Sequence, residues 1–121
     1  MCRGLSIAIC EDVPSERELL LSLARDWARG AGARVSLEAF ASAEAFVFHR
    51  AGGEEFDLLL LDIGMRGMSG MELARELRAQ GCGAQIVFIT GYADCMSEGY
   101  DVGALHYLLK PVLREKLFSV L

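Results

Sequence analysis

Short apolar runs and longer amphipathic stretches alternate along the chain. The apolar runs have the length and composition of β-strands, and we place five strands at Leu5–Cys10, Val35–Phe40, Leu58–Leu61, 86–89 and His106–Leu109. Between them, apolar residues recur at helical spacing in three stretches: Leu19 to Trp27, Ala43 to Val47, and Leu73 to Leu77. The weakly patterned residues 94–103 are assigned to a short helix. This alternation predicts a single α/β domain in which helices cover both faces of a parallel sheet.

Capping and turn residues indicate where the helices begin and end. Two capping-box spacings predict helix starts: Ser15 with Glu18, and Ser69 with Glu72. Two glycine pairs predict helix ends: Gly30 with Gly32, and Gly81 with Gly83.

The strands differ in how much of their surface they can bury. Leu58–Leu61 and 86–89 are apolar throughout, which predicts central positions in the sheet. Val35–Phe40 alternates between apolar and polar residues, which predicts an edge strand. His106–Leu109 carries two residues with polar tips, and we place it at the other edge.

Composition and charge narrow the functional classes. The 121 residues suffice for one domain, and a hydrophobic content of 53% argues against disorder. No apolar run approaches the roughly 20 residues of a membrane span, and the N-terminal run is too short for a signal peptide, so we expect a cytoplasmic protein. The net charge of −5 argues against direct binding to nucleic acid. The 4 cysteines lack the spacing of a zinc site and are expected to be free thiols.

Chemically active residues directly follow the strands, beyond their carboxyl ends, which is where ligands bind in open parallel sheets. These are Glu11 and Asp12 after the first strand, Asp62 after the third, Thr90 after the fourth and Lys110 after the fifth. Two carboxylates about 4 Å apart repel by about 4 kcal/mol at an effective dielectric of about 20. Three of them in one crevice would be costly, or would hold protons, unless a cation offsets their charge. Mg²⁺ prefers such oxygen ligands, while Lys110 and Thr90 suit the oxygens of a phosphoryl group. A carboxylate can attack phosphorus, so the set predicts Mg²⁺-assisted phosphoryl transfer.

Four stretches of the chain resemble the receiver domains of bacterial two-component response regulators. They are residues 7–15 (IAICEDVPS), 58–65 (LLLLDIGM), 86–92 (IVFITGY) and 104–111 (ALHYLLKP). The resemblance implies a flavodoxin-like, doubly wound (βα)5 three-layer sandwich with five parallel strands in the order 2-1-3-4-5. The endings TGY and YLLKP are most similar to receivers joined to LytTR-type DNA-binding domains.

The resemblance also implies roles for individual residues. Asp62 matches the phosphoacceptor, Glu11 and Asp12 match the acidic pair that holds Mg²⁺, and the backbone carbonyl of Gly64 matches a further metal ligand. Lys110 matches the lysine that contacts the phosphoryl group.

The expected switch involves residues on the last two strands. Thr90 matches the switch hydroxyl, Tyr107 matches the aromatic rotamer switch, and the Lys110–Pro111 bond matches one that is usually cis in the family.

Arg66 departs from the family, which commonly has proline there, so we expect a less restricted loop after Asp62.

A receiver of this kind is a signalling switch and not an enzyme with a separate substrate; it catalyses only its own phosphoryl transfer and slow autodephosphorylation. The implied partners are a sensor histidine kinase and, on phosphorylation, a second copy of the chain, with no membrane contact. Residues 1–121 are expected to be a single receiver domain that is truncated near the end of the last helix. DNA would then be bound, and transcription regulated, only through an absent C-terminal output domain.

Three alternatives to this interpretation exist. A haloacid-dehalogenase-type phosphatase needs a second aspartate two residues after the first, where this chain has Gly64. A dinucleotide-binding Rossmann domain needs a glycine-rich first turn, and the acidic turn EDVPS would repel phosphate. A pseudo-receiver, which uses the fold for protein interaction without phosphorylation, remains the alternative.

Overall fold

The computed structural model describes residues 4–32, 34–53, 55–92, 97 and 101–121. Within these ranges, a five-stranded sheet packs between helices on both faces. The elements with defined bounds are, in chain order, β1 (Leu5–Cys10), α1 (Pro14–Ala31), β2 (Val35–Phe40), α2 (Ala43–Arg50), β3 (Leu58–Leu61), α3 (Gly70–Ala79), β4 (Gln85–Thr90), β5 (His106–Leu109) and α4 (Arg114–Val120). The predicted short helix over 94–103 lies largely outside the described residues.

All strand pairings are parallel, and the strand order is β2-β1-β3-β4-β5, which confirms the predicted flavodoxin-like topology. β2 and β5 lie at the edges, and the two continuously apolar strands lie inside the sheet, as predicted. Four strands have the predicted bounds, whereas β4 extends one residue further at each end than 86–89.

The core consists of two apolar layers, one on each face of the sheet. In β3, Leu59 and Leu61 belong to the layer beneath α2 and α3, while Leu58 and Leu60 belong to the layer beneath α1 and α4. Successive side chains of a strand point to opposite faces, so a strand buried on both faces must be apolar at every position. Each such leucine contributes about 1.5–3 kcal/mol through burial, which explains the run of four.

The helix starts confirm one predicted cap and correct the other. Ser69 and Glu72 form a capping box at α3, with Ser69 Oγ accepting from the Glu72 N–H at 3.1 Å and Glu72 Oε1 accepting from the Ser69 N–H at 2.9 Å. The capping box predicted from Ser15 is wrong, because α1 begins at Pro14 and its cap residue makes no side-chain hydrogen bond. Proline is favoured at a first helical position, where its fixed φ suits the helix and no N–H is needed.

Glycines end α1 and α3 as predicted, although only one of each pair does so. Gly32 has φ +63° after α1, while Gly30 lies inside that helix. Gly81 has φ +78° after α3, and the Cys82 N–H donates to the Leu77 carbonyl at 2.9 Å, which is the Schellman arrangement.

Arg78 connects the end of α3 to the segment that enters β5. Its guanidinium donates to the carbonyl oxygens of Val102 (2.7 Å), Cys82 (2.8 Å), Ala84 (2.8 Å) and Gly103 (3.4 Å). The five donors of a rigid guanidinium can serve several carbonyls at once. Arg78 therefore fixes the point at which β5 begins, and with it the position of the functional residues that follow this strand.

We expect Gly70→Ala to lower the free energy of unfolding by about 1–3 kcal/mol, because a Cβ at Gly70 would lie 2.1 Å from the backbone carbonyl oxygen of Asp62. The measurement is urea unfolding followed by circular dichroism. Gly83→Ala is the matched control, since a Cβ there meets nothing within 4 Å, and it should change stability by less than about 0.5 kcal/mol. Equal stability of the two variants would contradict the close approach at Gly70.

Candidate functional site

Carboxylates and an ammonium meet beyond the carboxyl ends of the strands, and a threonine ends the neighbouring strand. Glu11 and Asp12 follow β1, Asp62 follows β3, Thr90 ends β4, and Lys110 follows β5. One oxygen from each of the three acids lies within 4.8 Å of the others. Lys110 Nζ lies 2.8 Å from Glu11 Oε2 and 3.2 Å from Asp62 Oδ2. The structure therefore brings together the acids and the lysine that the sequence placed at this edge.

Backbone pairing sets these positions. The register of β1 and β3 aligns Cys10 with Leu61, so the next residue on each strand carries an acid. The ladder continues past the strand ends: the Asp62 N–H donates to the Cys10 carbonyl at 3.1 Å. On the other side of the site, the Lys110 N–H donates to the Thr90 carbonyl at 2.9 Å.

Two acids of the site are buried, and the charges of the site depend on one another. Glu11 is 0% exposed and Asp62 is 6% exposed. Burial raises the pKa of Glu11 and the charge of Asp62 raises it further, although hydrogen bonds from Lys110 and the Val13 N–H oppose the increase. Burial alone would lower the pKa of Lys110, but hydrogen bonds to Glu11 and Glu16 and the charge of Asp62 raise it above its ordinary value. Lys110 is therefore a persistent cation that offsets the buried carboxylates.

Glu16 is a residue of this site that the sequence analysis missed. Its Oε1 lies 2.7 Å from Lys110 Nζ, which gives the lysine a third carboxylate partner. Glu16 lies in the first turn of α1, and that turn begins at Pro14. The proline was the available signal, because a helix starting there carries residue 16 over the carboxyl edge of the sheet.

The loop between β3 and α3 is hydrogen-bonded to the loop after β1 and to the first turn of α2. The Arg66 N–H donates to Asp12 Oδ2 at 3.1 Å, and the Met68 N–H donates to Glu44 Oε2 at 2.8 Å. Gly67, between them, has φ +74°. A proline at position 66 would have no N–H for Asp12. Two carboxylates thus restrain this loop. The absence of proline at position 66 had led us to expect a less restricted loop.

A second set of contacts joins the site to the edge strand. The Gly64 N–H donates to Asp62 Oδ1 at 3.3 Å, and the Tyr92 ring lies against Gly64, where a Cβ would fall 2.4 Å from Tyr92 Cε2. Thr90 Oγ1 accepts from the Tyr92 N–H at 3.3 Å. The Tyr107 hydroxyl donates to the Tyr92 carbonyl, and the Tyr107 ring lies 5.8 Å from that of Phe88.

Two further features bear on what the site can bind. The Lys110–Pro111 peptide bond is cis, the isomer that the resemblance implied. The clustered oxygen donors of Glu11, Asp12 and Asp62 are of the hard, anionic kind that Mg²⁺ favours, so these residues fit the ion.

None of the helices in the described part of the chain is long and apolar enough to cross a membrane.

Comparisons with known proteins find one matching family and several relatives of this sequence. The family model of the response regulator receiver domain matches residues 7–121. The chain is 32% identical over 117 residues to the positive alginate biosynthesis regulatory protein of Pseudomonas aeruginosa, covering 97% of this chain and 46% of that protein. It is 36% identical over 87 residues to the transcriptional regulatory protein MalR of Bacillus subtilis, covering 70% of this chain and 37% of MalR. The chain thus spans less than half the length of these two relatives.

A solved structure shows the same fold. The response regulator protein TrrA from Thermotoga maritima, in complex with Mg²⁺–BeF, superposes with a TM-score of 0.76 at 27% identity. The superposition covers 97% of this chain and 99% of TrrA.

The hydrogen bond from the Met68 N–H lowers the pKa of Glu44 below its ordinary value of 4.5. A carboxylate with a lowered pKa stabilises the fold above its unfolded-state pKa and loses that contribution as pH falls through the folded-state value. We therefore expect Glu44→Gln to reduce stability at pH 7 and to differ less from the wild type as the pH approaches 3. Urea unfolding across this pH range, with Glu18→Gln as the exposed control, measures the difference. A difference that is independent of pH would contradict the assignment.

Proposed function

The chain belongs to the response regulator receiver domain family, and from this membership and the geometry of the site we propose that Asp62 accepts a phosphoryl group from the phosphohistidine of a sensor histidine kinase. One observation carries the proposal. The nearly buried Asp62 carboxylate lies 3.2 Å from the Lys110 ammonium and within 4.8 Å of two further carboxylates, at the open edge of the sheet. A nucleophile for phosphorus, a cation for phosphoryl oxygens and a set of metal-binding oxygens thus occupy one place.

In the proposed transfer, an oxygen of Asp62 forms a bond to phosphorus as the phosphorus–nitrogen bond of the donor breaks. The electron pair of that bond returns to the imidazole nitrogen, which then takes up a proton. Lys110 would donate to an oxygen of the moving phosphoryl group. Glu11, Asp12, Asp62 and the Gly64 carbonyl would hold Mg²⁺, which offsets the negative charge of the phosphoryl oxygens.

The same site would act as the switch. Thr90 is fully buried, and its hydroxyl oxygen accepts from the Tyr92 N–H. A phosphoryl group on Asp62 would offer the Thr90 hydroxyl a strong acceptor and draw it toward the site. Tyr107, which donates to the Tyr92 carbonyl, would then turn inward and change the surface formed by β5 and α4.

The output is proposed from the relatives and from the sequence. The two relatives named above are described as a regulatory protein of alginate biosynthesis and as a transcriptional regulatory protein. We infer that the changed surface regulates a linked DNA-binding domain, of the LytTR type that the TGY and YLLKP endings favour. Binding to DNA would belong to that domain, and the changed surface would bind it or a second copy of the receiver.

Acetyl phosphate with Mg²⁺ should add one phosphoryl group to the wild-type chain, as measured by intact mass. Asp62→Asn should abolish the addition, because an amide is not a nucleophile for phosphorus. Asp57→Asn is the matched control, since Asp57 precedes the same strand at its opposite end, and this variant should be phosphorylated normally. A folded wild-type chain that gains no mass would favour the pseudo-receiver.

Asp12→Asn should weaken Mg²⁺ binding by about tenfold or more, equivalent to about 1.4 kcal/mol, because it removes a charged oxygen ligand. Isothermal titration calorimetry measures the dissociation constant. Asp26→Asn, a partly exposed aspartate of α1 that pairs with Arg29 and Arg114, controls for the loss of one negative charge. Equal affinities in the two variants would exclude Asp12 from the metal site.

A further inference from the structure

Lys110 has three carboxylate partners, and a phosphoryl group on Asp62 would need one of the positions they hold. The distances from Lys110 Nζ are 2.7 Å to Glu16, 2.8 Å to Glu11 and 3.2 Å to Asp62. A lysine ammonium has three N–H donors, so these three contacts use all of them. A phosphoryl oxygen can therefore be bound by Lys110 only when one of the carboxylates is released.

The burial of the three acids indicates which one is released. The Glu11 side chain is 0% exposed and also accepts from the Val13 N–H, so it is held in the interior and cannot turn away into water. Asp62 is the phosphoacceptor itself and stays beside the lysine. The Glu16 side chain is 38% exposed, so water can solvate its carboxylate once the contact is broken.

We propose that Glu16 is a positioning residue that competes with the phosphoryl group for Lys110. In the unphosphorylated chain it holds the lysine, and it must withdraw before Lys110 can donate to a phosphoryl oxygen. The inference rests on the proposed function, because it requires that Asp62 be the phosphoryl site. It assigns to this chain an internal competitor that weakens phosphoryl binding.

The sequence places Glu16 well for this role. It follows the acidic pair within the first turn of α1, close enough to reach Lys110, while its carboxylate is not one of the three that cluster within 4.8 Å. Glu16 thus contacts the lysine side of the site and not the predicted metal ligands. Its removal should change phosphoryl binding without changing Mg²⁺ binding.

The test uses BeF₃⁻, a phosphoryl analogue, at saturating Mg²⁺, with dissociation constants from NMR titration. Glu16→Gln keeps the length of the side chain but removes its charge, and it should bind BeF₃⁻ about two- to fivefold more tightly than Glu18→Gln. Glu18 is an exposed glutamate of the same helix, so the control carries the same change in net charge. Glu16→Asp, which keeps the charge on a shorter side chain, should give an intermediate value. Equal or weaker binding by Glu16→Gln would overturn the proposal.

Two further readouts separate the causes of failure. A wild-type chain that is folded but does not bind BeF₃⁻ with Mg²⁺ would reject the proposed function itself. Binding by the wild type with no difference between Glu16→Gln and Glu18→Gln would reject only the role of Glu16. Titration with Mg²⁺ alone should give the two variants equal affinities, and a gain confined to Glu16→Gln would show that Glu16 acts through the metal, which also overturns the proposal.

Discussion

The Lys110 ammonium is the charge on which the arrangement of the site depends. Parallel pairing forces the residues after β1 and β3 to be neighbours, so Glu11 and Asp62 meet in a place where water does not separate them. Two buried carboxylates would repel strongly or take up a proton. Lys110, delivered from the far edge of the sheet by β5, lies within hydrogen-bond distance of both. The topology thus creates the electrostatic cost and also brings the residue that offsets it.

The site divides into two halves with different partners. Glu11 and Asp62 are bound to Lys110, whereas Asp12 is more exposed and accepts only a backbone N–H, from Arg66, among the hydrogen bonds of the described residues. A neutral donor compensates a carboxylate less than an ammonium does. Asp12 is therefore the acid with the most uncompensated charge, and it faces the loop after Asp62. In the proposed function, a cation arriving from solvent would meet this half first, and the lysine half would receive the phosphoryl oxygens.

The strands and the position of the site were predicted well because both follow from patterns along the chain, whereas the strand order came from the resemblance to receiver domains. A strand buried on both faces must be apolar throughout, and a residue that follows such a strand must lie at the carboxyl edge. The remaining features depend on contacts between distant segments. The contact of Glu44 with the Met68 N–H carries no signal in spacing or composition. The contact of Glu16 with Lys110 had one signal, Pro14, which sets the start of α1 and so places Glu16 in its first turn. The start of α1 was misplaced because the Ser15 capping box competed with Pro14, and the fixed φ of proline prevailed.

The contacts around Tyr92 explain how a change of charge at a buried carboxylate would reach the surface. A switch needs an element with two arrangements whose balance the modified group can alter. Tyr92 joins both sides of such an element: its N–H donates to the buried Thr90 hydroxyl, and its carbonyl accepts from Tyr107. Its ring also lies against Gly64, next to the loop that follows Asp62. In the proposed switch, movement of Thr90 toward a phosphoryl group would break its contact with the Tyr92 N–H. We expect Tyr92 and Tyr107 then to rearrange together, so that the change would reach the edge strand of the sheet.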